Sequence, residues 1–161
     1  MRKATIMNTD RILFPTDFSR QDRKALELAS ALARDRGSTL IIAHVEEPPM
    51  AYGGGEFYYG IDEPSRRDLQ RMLLEVQPDD PAVPYEHRLV TGAPARAIVD
   101  LATQENVSLI VMPTHGRTGL MRLLMGSVAE EVVRKAPCPV LTVRAGTAVQ
   151  DNSTQTEGAM P

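Results

Sequence analysis

With 161 residues, 42% of them hydrophobic and 24% charged, the chain has the size and balance of one globular domain around a single core. Its net charge of −3 speaks against a nucleic-acid surface, which would carry a basic face, and no stretch approaches the roughly 18 apolar residues of a membrane span. One cysteine, Cys138, excludes an internal disulfide and fits a reducing cytoplasm, and MRKATIMNTD lacks the apolar run of a signal peptide.

Residues 1–9 read as a disordered lead. Ile12-Leu13-Phe14, ended by Pro15, reads as a buried strand of a parallel sheet. Thr16-Asp17-Phe18-Ser19 turns the chain into a helix, with Ser19 as N-cap and Asp22 in the first turn, where a carboxylate suits the dipole. Ala25, Leu28, Ala29 and Leu32 set the helical period and Gly37 stops it. Thr39 to Val45 is the second strand, which implies a right-handed β-α-β crossover.

Glu46 to Glu63 breaks the rhythm with Pro48, Pro49, four glycines and three of the four tyrosines, Tyr52, Tyr58 and Tyr59. A loop that long either covers core with its aromatics or serves as a lid or partner contact. Pro64 to Val76 is the second helix, with Leu69, Met72, Leu73 and Val76 on one face, and Tyr85 to Val90 alternates as a sheet-edge strand does. Pro94 opens a third helix whose buried face is Ala95, Ile98, Val99 and Ala102. Leu109 to Met112 is the fourth strand, followed by the turn Pro113-Thr114-His115-Gly116-Arg117. Gly126-Ser127 leads into a helix from Val128 to Lys135, Pro139 to Val143 is the last strand, and residues 145–161 read as a disordered tail.

This alternation predicts an α/β domain over residues 10–144, with a five-stranded, mainly parallel sheet of order 3-2-1-4-5 and helices on both faces. Such sheets bind ligands at the C-terminal strand ends where strand order reverses, which couples Pro15, Thr16 and Asp17 with the turn after strand 4. A Gly-containing turn followed by a helix entered through Gly-Ser presents unpaired N–H groups and a positive dipole end, which suits phosphate. Nucleotide binding is the function class these residues suggest.

Each residue also has a plain structural role open to it. Asp17 serves equally as a turn residue, and Gly126 as a hinge with Ser127 as N-cap. Arg117 and Arg122 either screen phosphate or are ordinary surface arginines, and His115 either orders its turn or touches phosphate. His44 and His87 read as strand residues in packing or surface roles, and Cys138, between two prolines, reads as a structural thiol. No Gly-x4-Gly-Lys-Ser/Thr occurs, so no P-loop lysine is present, and the acidic residues near the site, chiefly Asp17, form no Mg²⁺ cluster.

Leu13-Phe14-Pro15-Thr16-Asp17-Phe18-Ser19, Ala43-His44-Val45, Thr114-His115-Gly116-Arg117 and Gly126-Ser127 together resemble the universal stress protein family, from about Arg11 to Arg144. Of that family's Gly-x2-Gly-x9-Gly-Ser/Thr motif, Gly116, Gly126 and Ser127 match, and Pro113 stands where the first glycine belongs. The resemblance implies a Rossmann-like, cytoplasmic stress-response protein that forms a homodimer through its last strand, Pro139 to Val143. One subgroup of the family binds ATP; another lacks the motif.

By the same resemblance the ligand is ATP or AMP, with any Mg²⁺ brought in by the phosphates. Asp17 would accept from the ribose hydroxyls, the main chain of Val45 would meet the adenine edge, and Met112 would lie against the nucleoside. Gly116, Gly126 and Ser127 would wrap the phosphates, with the Ser127 hydroxyl and the N–H groups of Ser127 and Val128 donating. Pro15, Thr16, Pro113, His115 and Arg117 complete the candidate site. Because proline has no N–H, phosphate should be held by the Gly126-Ser127 end more than by the Pro113 end. No residue is assigned a catalytic role. A sensor or regulator is the leading expectation, beside a slow ATP hydrolase and a nucleotide-free dimeric interaction module.

Overall fold

A computed structural model describes residues 10–48, 64–115 and 125–144. Five strands, β1 (Arg11–Pro15), β2 (Thr39–Glu46), β3 (Tyr85–Thr91), β4 (Leu109–Pro113) and β5 (Val140–Val143), form one parallel sheet of order β3-β2-β1-β4-β5, as expected. Between them run α1 (Asp22–Arg36), α2 (Arg66–Glu75), α3 (Pro94–Gln104) and α4 (Ser127–Lys135). Among the described residues no helix is long and apolar enough to cross a membrane. The expected lead and tail, the tyrosine loop, Gly116, Arg117 and Arg122 lie outside the described residues.

The two-residue strand period sorts the core into two layers. Ile12, Phe14, Leu40, Ile42 and Val111 meet Ala25, Ala29 and Ala33 of α1 and Leu73 of α2 on one face. Leu13, Ile41, Ala43, Ile110 and Met112 meet α3 and α4 on the other, through residues such as Ile98, Leu101, Ala102, Ala129 and Val132. Because β1, β2 and β4 are covered on both sides, they read as unbroken apolar runs, whereas β3 has no fully buried residue.

Helix α1 departs from the expected face. Ala25, Ala29 and Ala33 form its buried stripe, while Leu28 is 36% exposed. At about 100° per residue Leu28 lies roughly 100° from the centre of that stripe, at the helix margin, and the small alanines let the helix approach the sheet closely. Its start also differs. Gln21, not Ser19, is the N-cap, and it makes no side-chain capping bond; the Ser19 carbonyl instead accepts from the Asp22 N–H at 3.2 Å. Gly37 ends the helix at φ 64°, where its N–H reaches the carbonyls of Ala33 and Arg34. Helix α2 starts later than expected because Ser65 and Asp68 form a reciprocal capping box.

The register explains where an opening can form. β1 and β4 pair only at Ile12–Leu109 and Leu13–Ile110. Each then continues with its outer neighbour, to Pro15–Ala43 in one case and Pro113–Val143 in the other. Beyond Leu13 and Ile110 the two central strands no longer share a ladder, and their C-terminal ends border a cleft at the point where strand order reverses.

Candidate functional site

That cleft has a volume of about 760 Å³ and is lined by residues from the ends of β1, β2 and β4 and the start of α4. Its size suits a small organic ligand, for which cavities of roughly 300–1,000 Å³ are usual. Pro15, Thr16, Asp17, Val45, Met112, Pro113, His115, Gly126, Ser127 and Val128 all lie on its wall, so every sequence-predicted site residue that is described falls in one place. Asp22, His44, Glu46 and Arg66 line it too and were not singled out by sequence.

The turn after β1 is held from several directions. The Thr16 N–H donates to the Ala43 carbonyl at 2.8 Å, and the Thr16 hydroxyl accepts from the Phe18 N–H at 3.0 Å. Asp17 Oδ1 accepts from the Ser19 N–H at 2.9 Å, closing an Asx turn. From β2, His44 Nδ1–H donates to the Thr16 carbonyl at 2.8 Å, and its ring packs 4.2 Å from that of Phe18. Phe18 sits at φ 63°, a left-handed conformation that a bulky residue adopts only when its surroundings enforce it.

Asp22 is the innermost of these supports. Its Oδ2 accepts from the Thr16 hydroxyl at 2.5 Å and from the Asp17 N–H at 3.1 Å, while its Oδ1 is buried without a hydrogen-bond partner. Burial pushes the carboxyl up to about 6; the Thr16 hydrogen bond opposes this and the charge of Asp17 adds to it. The sequence reading took Asp22 for a dipole partner and His44 for packing. Both placements hold, Asp22 in the first turn of α1 and His44 buried on β2, but each has a further partner, the Thr16–Asp17 turn for Asp22 and the Thr16 carbonyl 28 positions before His44, that tertiary structure alone supplies.

At the opposite wall β4 ends in Pro113, and the Thr114 N–H donates to the Val143 carbonyl at 3.0 Å. The Gly126 N–H closes back on the Thr114 carbonyl at 2.7 Å. Gly126 has an ordinary φ of −76°, so what favours glycine there is space: a Cβ would lie 3.3 Å from the Thr114 oxygen, a tight contact. Gly126 is the N-cap and Ser127 the first helical residue, which corrects the alternative reading of Ser127 as cap. Gly126, the N-cap, has no side chain to cap α4, and the first backbone bond within the helix runs from the Glu130 N–H to the Gly126 carbonyl. The N–H groups of Ser127, Val128 and Ala129 therefore have no partner within the helix, at the positive end of its dipole and on the cleft wall.

The outer rim is braced by Arg66, which pairs with Glu46 and donates to Thr91 Oγ1 at 3.1 Å, tying the start of α2 to the ends of β2 and β3. Carboxylates thus gather on one side of the cleft and a helix N-terminus faces the other. Among the described residues no three His, Cys, Asp or Glu side chains converge as a metal site. Cys138 is half-buried, with its thiol pushed up by burial, which suits the structural role expected of it.

Residues 8–144 match the universal stress protein family. A universal stress protein of Thermus aquaticus is 36% identical over 141 residues, covering 83% of this chain and 97% of that protein. Among solved structures, protein MJ0577 of Methanocaldococcus jannaschii is 26% identical with a TM-score of 0.64, covering 86% of this chain and 98% of that one. A universal stress protein in complex with cAMP is 26% identical with a TM-score of 0.58, covering 86% and 98%.

Proposed function

The chain belongs to the universal stress protein family, and from that premise we propose that its cleft binds an adenine nucleotide, ATP or AMP, as the family's ATP-binding subgroup does. One observation carries the reading: the N-terminus of α4, begun at a glycine, and the braced Asp17 turn line one cleft at the strand-order reversal. The cAMP complex of a related chain supports an adenine ligand.

In this reading the ribose hydroxyls donate to Asp17, the adenine edge meets the main chain of Val45, and Met112 packs against the nucleoside. The phosphates lie at the N–H groups of Ser127 and Val128, where a helix N-terminus favours an anion. Gly116 and Arg117, which follow His115 in sequence, are proposed as further phosphate contacts. Pro113 is compatible with this arrangement. It ends β4 in extended conformation, pairs with Val143 and lies on the wall, so the phosphate grip rests on the Gly126 side. Among the described residues no three His, Cys, Asp or Glu gather as a metal site, and in this reading any Mg²⁺ enters on the phosphates.

The function proposed is sensing: nucleotide occupancy sets the state of a cytoplasmic stress-response regulator. β5 is a sheet edge, and Leu141 on it and Val133 on α4 are 37% and 47% exposed, which suits a homodimer formed through that strand.

Native-state binding raises stability by about 2.7 kcal/mol when ligand stands at 100 times its dissociation constant. Millimolar AMP is therefore expected to raise the melting temperature by several degrees, and Asp17→Ala to remove most of that rise. A melting temperature that ATP and AMP leave unchanged would favour the nucleotide-free dimer module instead.

A further inference from the structure

Asp22 raises a question that the proposed nucleotide contacts do not answer. Its side chain is 7% exposed, and only one of its two oxygens is satisfied. A buried, half-satisfied carboxylate costs stability, and an apolar or hydroxyl side chain would start α1 without that cost. What the carboxylate does achieve is local. Its Oδ2 holds both the hydroxyl of Thr16 and the N–H of Asp17, the two residues that carry the chain from β1 into the cleft.

We propose that Asp22 is a positioning residue of the cleft: its carboxylate fixes the Asp17 turn, so that Asp17 meets the ligand already in place. The inference rests on the nucleotide reading above. The turn contains Phe18 at φ 63° and would relax if released, and the Asp22 oxygen is the group that holds the Asp17 N–H. Hydrogen bonds to an ionised acceptor are roughly twice as strong as those to a neutral one. An amide in this position, or a protonated acid, grips the turn less firmly, and the ligand must then order Asp17 as it binds.

The charged surroundings of Asp22 are simple. Asp17 faces it from the turn and raises its proton affinity, after the larger effect of burial. From β2, His44 donates to the carbonyl of Thr16, whose hydroxyl donates to Asp22. β4, which packs on α1, carries only uncharged residues, and Arg23 on α1 itself is paired with Glu27.

A double-mutant cycle tests the role, with AMP as the probe at pH 7.5. Asp22→Asn is expected to weaken AMP binding about tenfold, the order of one charge-assisted hydrogen bond. In an Asp17→Asn background the same change should have almost no further effect, because Asp22 acts through Asp17. A general loss of order, or a direct effect of the charge on phosphate, would weaken binding equally in both backgrounds and would overturn the proposal. So would AMP binding by Asp22→Asn as tight as that of the parent chain. If the parent chain itself binds no AMP, the nucleotide reading fails first, and amide exchange still tests the positioning role. In the unmutated chain, acidification from pH 7.5 to 5 should lower the protection of the Asp17 amide relative to that of Leu13. A ratio between the two protections that stays unchanged across that range would count against it, whether or not the variant folds.

Discussion

Gly126→Val is expected to abolish AMP binding, a loss of about 100-fold or more, in a chain that keeps its circular dichroism spectrum and cooperative unfolding. The Gly126 Cβ position is already 3.3 Å from the Thr114 carbonyl and 3.7 Å from the His115 Cα, both backbone atoms that cannot turn aside. The two methyl groups of valine beyond that point must either push the start of α4 away from Thr114 or project across its N–H groups. Either way the donors offered to phosphate are displaced together. Hydrogen bonds to a charged group contribute roughly 1.5–3 kcal/mol each, so losing two accounts for about 100-fold or more. The fold is spared because Ala129 and Val132, which anchor α4 in the core, lie further along the helix. Affinity retained within about threefold would mean that phosphate is not held at this helix.

Phe14→Ala is expected to cost about 3–5 kcal/mol of unfolding free energy, read as a lower urea midpoint. Phe14 is fully buried near the C-terminal end of β1, among the α1 alanines and Ile42 of β2. Small side chains on the facing helix leave little beside the ring that could move in and fill its volume. A domain of this kind has roughly 5–15 kcal/mol in all, so the loss is a large share of it. Nucleotide should partly restore the midpoint, since Phe14 lies two residues before the Thr16 turn and does not itself line the cleft. A cost below about 1 kcal/mol would show that the packing between α1 and the sheet is looser than described.

The sheet was legible because parallel strands covered on both faces are written as short apolar runs, as in Ile12-Leu13-Phe14 and Leu40-Ile41-Ile42. Much of the cleft was legible for a related reason. Strand order alone brings the Asp17 turn and the Gly126 turn to the same reversal point, and all ten described candidates line one opening. What escaped the sequence depended on partners distant in the chain or on close approach. Asp22 looked like any first-turn carboxylate until the Thr16–Asp17 turn folded back onto it. His44 is the packed strand residue expected, but its hydrogen bond to the Thr16 carbonyl, 28 positions away, could not be read from sequence. The start of α1 was misplaced because Ser19 is a favourable cap by type, yet its hydroxyl is buried in the turn without a partner.

In the proposed site a braced ribose side meets a phosphate side built from the N–H groups that begin α4. Its sides are independent in sequence and joined only by the fold, so a single ligand must respond to both. Isothermal titration of the full chain with ATP, AMP and cAMP tests this most directly. Saturable binding of at least one adenine nucleotide, with one site per chain and lost in both Asp17→Ala and Gly126→Val, is the predicted result. Absence of binding for all three nucleotides, or binding that survives both substitutions, would contradict it.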